Sequence, residues 1–411
     1  MSLFLTANQF VASRRSRGAL HYDPRMTRGG KGAAVVLGTA ALLGMGVLAA
    51  HDYIDAASFI IQAAGFSGPA RTAAEWTTDT VAETERSIPW RGGLLRGRVY
   101  RPSGEDGVPV LLVPGVHAGG IDEPRLIQFA RDLASMGRYV VAAELPDLKA
   151  YAITPRTTDM IEDAGVWLAT RSGLAPEGRI GMAGISFAGG LSIVAGTRPS
   201  LQQHVAFVMS FGGHGDLPRT LEYLCTGVQP DGGRRQPHDY GVAIILLGVA
   251  HRLVPHGQVA PLRTAILAFL HASHVDMWDK PQAQVEFTKA KQMADALEEP
   301  ARTLMNYVNT RDVATLGAIV LPHTRDMGGD PSLSPAKATA PTFPVYLLHG
   351  TDDNVIPAVE SSLLAAALRE HGVDVQQLAT PLITHAEVDR SAAARAIWDL
   401  VQFWAHLLDE E

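Results

Sequence analysis

The sequence predicts an α/β protein: a mostly parallel central sheet with helices on both faces, a hydrophobic helix ahead of it and a helical insertion within it. Three observations predict this. Short apolar runs of strand length alternate with helix-length amphipathic segments over residues 77–216 and again over 345–411. Several runs, Val110–Val113 and 345–348 among them, are continuously apolar, as expected of parallel strands covered on both faces. Across 217–344 the alternation stops, and apolar stretches at 241–250 and 259–270 read as helices of a separate cap.

The chain opens on a basic segment, 1–32, with Arg14, Arg15, Arg17, Arg25, Arg28 and Lys31 set against Asp23 alone. Residues 33–50 carry no charge. As a helix rising about 1.5 Å per residue they would span roughly 27 Å, close to a bilayer core. The basic flank precedes the run, and His51, Asp52 and Asp55 follow it, so the N-terminus would stay in the cytoplasm and the body would cross. The run is also rich in Ala and Gly, which suits the core of a signal peptide, with Val47 and Ala49 at cleavage-site positions. Two outcomes are therefore expected: a membrane-anchored body outside the cytoplasm, or a body secreted after signal cleavage. Residues 51–76 read as a linker whose apolar piece, 56–66, is too short to span and lies on a membrane surface or against the body.

Formal charge is −7 at pH 7, and because the first 31 residues are net basic, the body that follows is more acidic still. That argues against a nucleic-acid partner. Cys225 is the single cysteine, which excludes an internal disulfide framework and a multi-cysteine zinc site. Histidines at 238, 251, 256, 271, 274 and 323 show no metal-ligand spacing and read as exposed or core-satisfied, so neither metal nor cofactor is expected.

In the body, 81–88 and 94–101 flank Trp90-Arg91-Gly92-Gly93 and read as an antiparallel hairpin at the sheet's edge. Strands follow at Val110–Val113, 139–143, 180–184 and Val205–Phe211, with helices at 123–136 and at 158–171, the latter capped by Thr157. After the insertion come a strand at 345–349, a helix at 358–369, a strand at 373–379 and a closing amphipathic helix at 391–408.

The organising stretch is Gly184-Ile185-Ser186-Phe187-Ala188-Gly189-Gly190, placed between a buried strand and a helix. That is the setting of a nucleophile elbow, in which a strained turn exposes the serine and its two-apart neighbours, here Gly184 and Ala188, must be small. A serine hydroxyl needs a base to take its proton, and the base needs a third group to hold its tautomer and balance its charge. Two loops at strand ends on the same edge offer them: Gly350-Thr351-Asp352-Asp353-Asn354-Val355-Ile356-Pro357 and Thr380-Pro381-Leu382-Ile383-Thr384-His385-Ala386-Glu387.

Four segments in this order, VLLVPGVHAGG, GISFAGG, LHGTDDNVIP and LITHAE, resemble the α/β-hydrolase superfamily of serine esterase and lipase type. The resemblance implies an α/β-hydrolase fold with Ser186 as nucleophile, His385 as base and Asp353 as acid. Asp352 ranks second for the acid, and Asp216 is a further candidate because some relatives place the acid there. It also implies an oxyanion hole from the Phe187 and Val116 N–H groups, with His117 as an alternative donor or a substrate-binding residue. The segments around the elbow are similar to the dienelactone hydrolase-like branch, from which a serine in place of cysteine departs. A small-molecule ester is the expected partner and acyl transfer to water the expected reaction. Alternatives are a peptidase or amidase, an acyltransferase, and a membrane-anchored binding protein without turnover.

Overall fold

The computed structural model describes residues 51–63, 65, 67–104, 107–384, 387–388 and 394–410. The basic segment, the apolar run 33–50 and His385 lie outside the described residues. Contacts divide the chain into two units between His51 and Asp52, and the sheet and its helices belong to the second. Among the described residues no helix is long and apolar enough to cross a membrane.

Eight strands build the sheet: β1 (Val81–Trp90), β2 (Gly93–Pro102), β3 (Val110–Val113), β4 (Val140–Ala143), β5 (Ile180–Ile185), β6 (Val205–Phe211), β7 (Val345–Gly350) and β8 (Val375–Thr380), in the order β1-β2-β4-β3-β5-β6-β7-β8. The β1–β2 and β2–β4 pairs are antiparallel and the rest parallel. This mostly parallel sheet with helices around it is the fold class the sequence predicts, and its strand order is that of the α/β-hydrolase fold. At the β1 edge, Glu85 accepts from Arg96 and Arg98, each at 3.0 Å. Such charge keeps an open edge from pairing with another chain.

Helices α1 (51–63), α2 (Pro69–Glu75), α3 (Pro124–Ala134), α4 (Pro146–Lys149), α5 (Pro155–Thr170) and α6 (Phe187–Gly196) precede the insertion. Successive strand residues point to opposite faces. Leu111, Val113, Val141 and Ala143 accordingly pack with α5 and α6, while Val110, Leu112, Val140 and Ala142 pack with α1, α3 and the closing helix. Helix α5 starts earlier than the sequence suggests. Pro155 occupies its first turn, and Thr157, expected as the cap, instead accepts through Oγ1 from the Thr154 N–H at 3.2 Å.

The insertion carries α7 (Leu217–Thr226), α8 (Asp239–Leu253), α9 (His256–Val275), α10 (Lys280–Asp295), α11 (Ala301–Asn309), α12 (Val313–Val320) and α13 (Thr324–Gly328). After it come α14 (Val359–Glu370) and α15 (Ala394–Leu408). Two anchors fix the insertion to the sheet's carboxyl edge. Fully buried Glu360 accepts from the N–H groups of Gly215 and Asp216 at 3.0 and 3.1 Å and from Arg219 at 2.6 Å. The Asn354 carbonyl accepts from the His238 N–H at 2.8 Å and the Tyr223 hydroxyl at 3.2 Å.

Of the two places expected for the apolar piece of 51–76, the structure shows its helical part against the body. On α1, Ala56, Phe59 and Ile60 are buried, the Phe59 ring lies 4.2 Å from that of Trp404 on α15, and Tyr53 stacks on Trp398 at 5.5 Å. Burying a ring of this size contributes about 2–3 kcal/mol, so α1 belongs to the body.

Candidate active site

One residue separates β5 from α6, and it is Ser186, at φ 55° and ψ −134°. A non-glycine residue held there stores about 1–3 kcal/mol of strain. The surroundings over-determine it. The Ser186 N–H donates to the Phe211 carbonyl at 2.7 Å and its carbonyl accepts from Gly189 at 2.8 Å. A methyl at Gly184 would run into the Ala188 carbonyl, and one at Gly189 into Ser210 Oγ. The small residues of the motif thus let strand, helix and neighbouring strand close on one another.

Ser186 lines a mostly apolar cavity of about 430 Å³, together with Phe187, Val116 and His117. Phe187 is the first residue of α6, where helix N–H groups have no partner within the helix and favour negative charge. The loop after β3 presses against the elbow: a methyl on Gly115 would stand 3.3 Å from the Ile185 carbonyl and 3.4 Å from Ser186 Cβ. Val116 follows directly, so both expected oxyanion donors belong to segments that flank the serine.

The three acid candidates separate clearly. Asp353 is buried, and its Oδ1 accepts from the N–H groups of Val355 and Ile356 at 2.7 and 3.0 Å. A methyl on Gly212 would lie 3.5 Å from Asp353 Oδ2, and Gly212 adjoins Phe211, the partner of the Ser186 N–H. Behind it, buried His349 contacts the Ile356 carbonyl through Nε2 at 2.8 Å and Ser361 through Nδ1 at 2.6 Å, bracing the turn. Asp352 is 71% exposed and pairs with Arg235 at 3.2 Å. Asp216 caps α7 by accepting from the Arg219 N–H at 3.0 Å and pairs with Lys337 at 2.7 Å. Both are committed elsewhere. Ile383–Thr384 and Glu387–Val388 pair antiparallel, and Ile383 lines the cavity.

Several lining residues escaped the sequence reading. His274 and His238, expected to be exposed or satisfied in the core, line the cavity with Tyr240 of the insertion and Tyr151, itself at φ 57°. The rings of His117 and His274 lie 3.9 Å apart, and His274 packs edge-on to Trp278 at 4.1 Å. His117 Nδ1 accepts from the Gly119 N–H at 3.0 Å, which places the proton of the neutral ring on Nε2, a buried atom with no partner among the described residues. Burial pushes His117 down to about 4; burial first, then the charges of His117 and Arg125, push His274 down to about 3. No group of three metal-binding side chains occurs among the described residues. Burial pushes the Cys225 thiol up to about 12, which leaves it inert.

The His117 shift has a signed consequence. Between about 6.5 and about 4 the unfolded chain binds a proton that the folded ring refuses, so stability is full above the window and falls as pH is lowered through it. Urea unfolding at neutral pH and near pH 4 should show His117→Phe losing about 3 kcal/mol less than wild type on acidification. Equal losses would mean that His117 is protonated in the folded state.

No protein-family model matches the chain, and no curated protein does. Among solved structures it aligns with an esterase from Pyrobaculum calidifontis at TM-score 0.46 and 16% identity, over 81% of this chain and 86% of that one. It aligns likewise with a thermostable carboxylesterase cloned from a metagenomic library, at 0.45 and 17% over 81% and 90%. A third is brefeldin A esterase, a bacterial homologue of human hormone sensitive lipase, at 0.43 and 15% over 81% and 74%. The chain's own strand order and its elbow at Ser186, rather than these alignments, assign it the α/β-hydrolase fold.

Proposed function

We propose that the protein is a serine hydrolase that cleaves carboxylic esters through Ser186, His385 and Asp353. The observation that carries this reading is a serine held at φ 55° on the wall of a mostly apolar cavity, at the carboxyl edge of a parallel sheet. Strain of that kind clusters at active sites and ligand clamps. His385 removes the Ser186 proton as Oγ attacks the ester carbonyl, and Asp353 holds the imidazole and balances its charge. The N–H groups of Phe187 and Val116 stabilise the oxyanion. His385 then protonates the leaving alcohol, and water, activated by the same base, releases the acid. The neutral His117 offers Nε2–H to an oxygen of the substrate. The apolar wall favours a hydrophobic acyl group over a peptide, which brings further amide groups that need partners.

Labelling with a fluorophosphonate and turnover of p-nitrophenyl esters of increasing chain length test the reading. Labelling together with ester turnover is expected. A folded protein inert to both would overturn it and favour a binding protein. For location, we propose that 33–50 leaves the body outside the cytoplasm; recovery of an unprocessed N-terminus in the soluble cytoplasmic fraction would overturn that.

A further inference from the structure

One wall of the cavity is a face of α3. Arg125, Gln128, Phe129 and Asp132 follow the spacing that puts residues on one side of a helix, and all four line the cavity. Their polar atoms are not equally provided for. The Arg125 guanidinium is held by Glu123 at 2.8 Å. Asp132, about 10 Å further along the helix at 1.5 Å per residue, is 2% exposed. Its Oδ1 accepts from Gln128 Nε2 at 2.8 Å, but Oδ2, equally buried, has no hydrogen-bond partner among the described residues. The cavity walls contributed by α1 and α15 are apolar: Phe59, Ile60, Ala63, Leu400 and Trp404. Burial pushes the carboxyl up to about 6, against the opposing effects of Gln128, Arg71 and Arg131.

A carboxylate left half-satisfied in an apolar wall is unfavourable for folding unless something completes it. A purely hydrophobic chain would leave Oδ2 without a partner. A chain bearing a hydrogen-bond donor at that depth would correct it.

Building on the ester-hydrolase reading, we propose that Asp132 is a specificity-determining residue whose Oδ2 accepts a hydrogen bond from a hydroxyl on the distal part of the acyl chain, so that the preferred substrates are esters of hydroxylated medium-chain acids. The α1 and α15 residues hold the methylene segment, and Gln128 fixes the carboxylate through its other oxygen.

The test compares p-nitrophenyl esters of matched chain length, with and without a terminal hydroxyl, from four to twelve carbons. In wild type one chain length should show a preference for the hydroxylated ester of about tenfold or more in kcat/KM, the size expected of one hydrogen bond to a charged group. Asp132→Leu should abolish the preference and raise kcat/KM for the plain ester of that length. Asp132→Asn, which keeps the shape and one acceptor, should retain part of the preference if the leucine variant fails to fold. Calorimetric binding of the same ester pairs to Ser186→Ala reads the preference without turnover, so failure here is distinguishable from failure of the ester-hydrolase reading. The proposal is overturned if wild type shows no preference at any length, or if the preference survives in the folded leucine variant.

Discussion

Ser186→Ala is expected to lower ester turnover by at least about four powers of ten and to abolish fluorophosphonate labelling, while leaving the fold intact. Removing the nucleophile of such a triad leaves only the contribution of oxyanion hole and binding. The backbone around residue 186 is fixed by its hydrogen bonds to Phe211 and Gly189, neither of which involves the side chain. A companion variant separates chemistry from strain. Ser186→Gly loses the same activity but removes the penalty of a positive φ, so it should unfold at higher denaturant than Ser186→Ala, by about 1 kcal/mol. Kinetics and urea unfolding of both variants check this. Appreciable turnover in either would remove Ser186 from the mechanism.

Asp353→Asn is expected to lower kcat by about three to four powers of ten, with far smaller effects from Asp352→Asn and Asp216→Asn. An asparagine can still accept from the Val355 and Ile356 N–H groups through its oxygen, so the turn should survive. On the proposed mechanism, what is lost is the negative charge that holds the base in its correct tautomer and supports its imidazolium. Asp352→Asn disturbs only an exposed pair with Arg235, worth about 0–1 kcal/mol. Asp216→Asn keeps a good helix cap and weakens one contact with Lys337. The three variants assayed side by side decide the acid, and equal losses at 352 and 353 would dissolve the assignment.

The fold was legible wherever a short-range pattern is sufficient. Four consecutive apolar residues bounded by breakers located β3 to the residue, and the crowding of Gly184 and Ala188 follows from the elbow motif itself. Boundaries slipped where a cap lies outside the periodic region, as at Thr154 and Pro155 of α5. Cavity composition was far less legible. His274, Tyr240 and Asp132 come from separate helices that meet only through the packing of the insertion and of α1, and none sits in a motif. Asp132 in particular reads as the polar face of an amphipathic helix. Only the packing of α1 and α15 on the same side of the sheet shows that this face is buried.

The placement of α1 bears on how this protein can be cut. The strand pattern invites truncation just ahead of β1, which would discard the N-terminal run and the helix after it. Such a cut would strip Phe59, Ile60 and Ala63 from the cavity and bare the ring of Trp404. The result would be a sticky, leaky enzyme whose poor behaviour could be mistaken for a missing membrane. A soluble fragment that keeps its pocket closed has to begin no later than the first turn of α1.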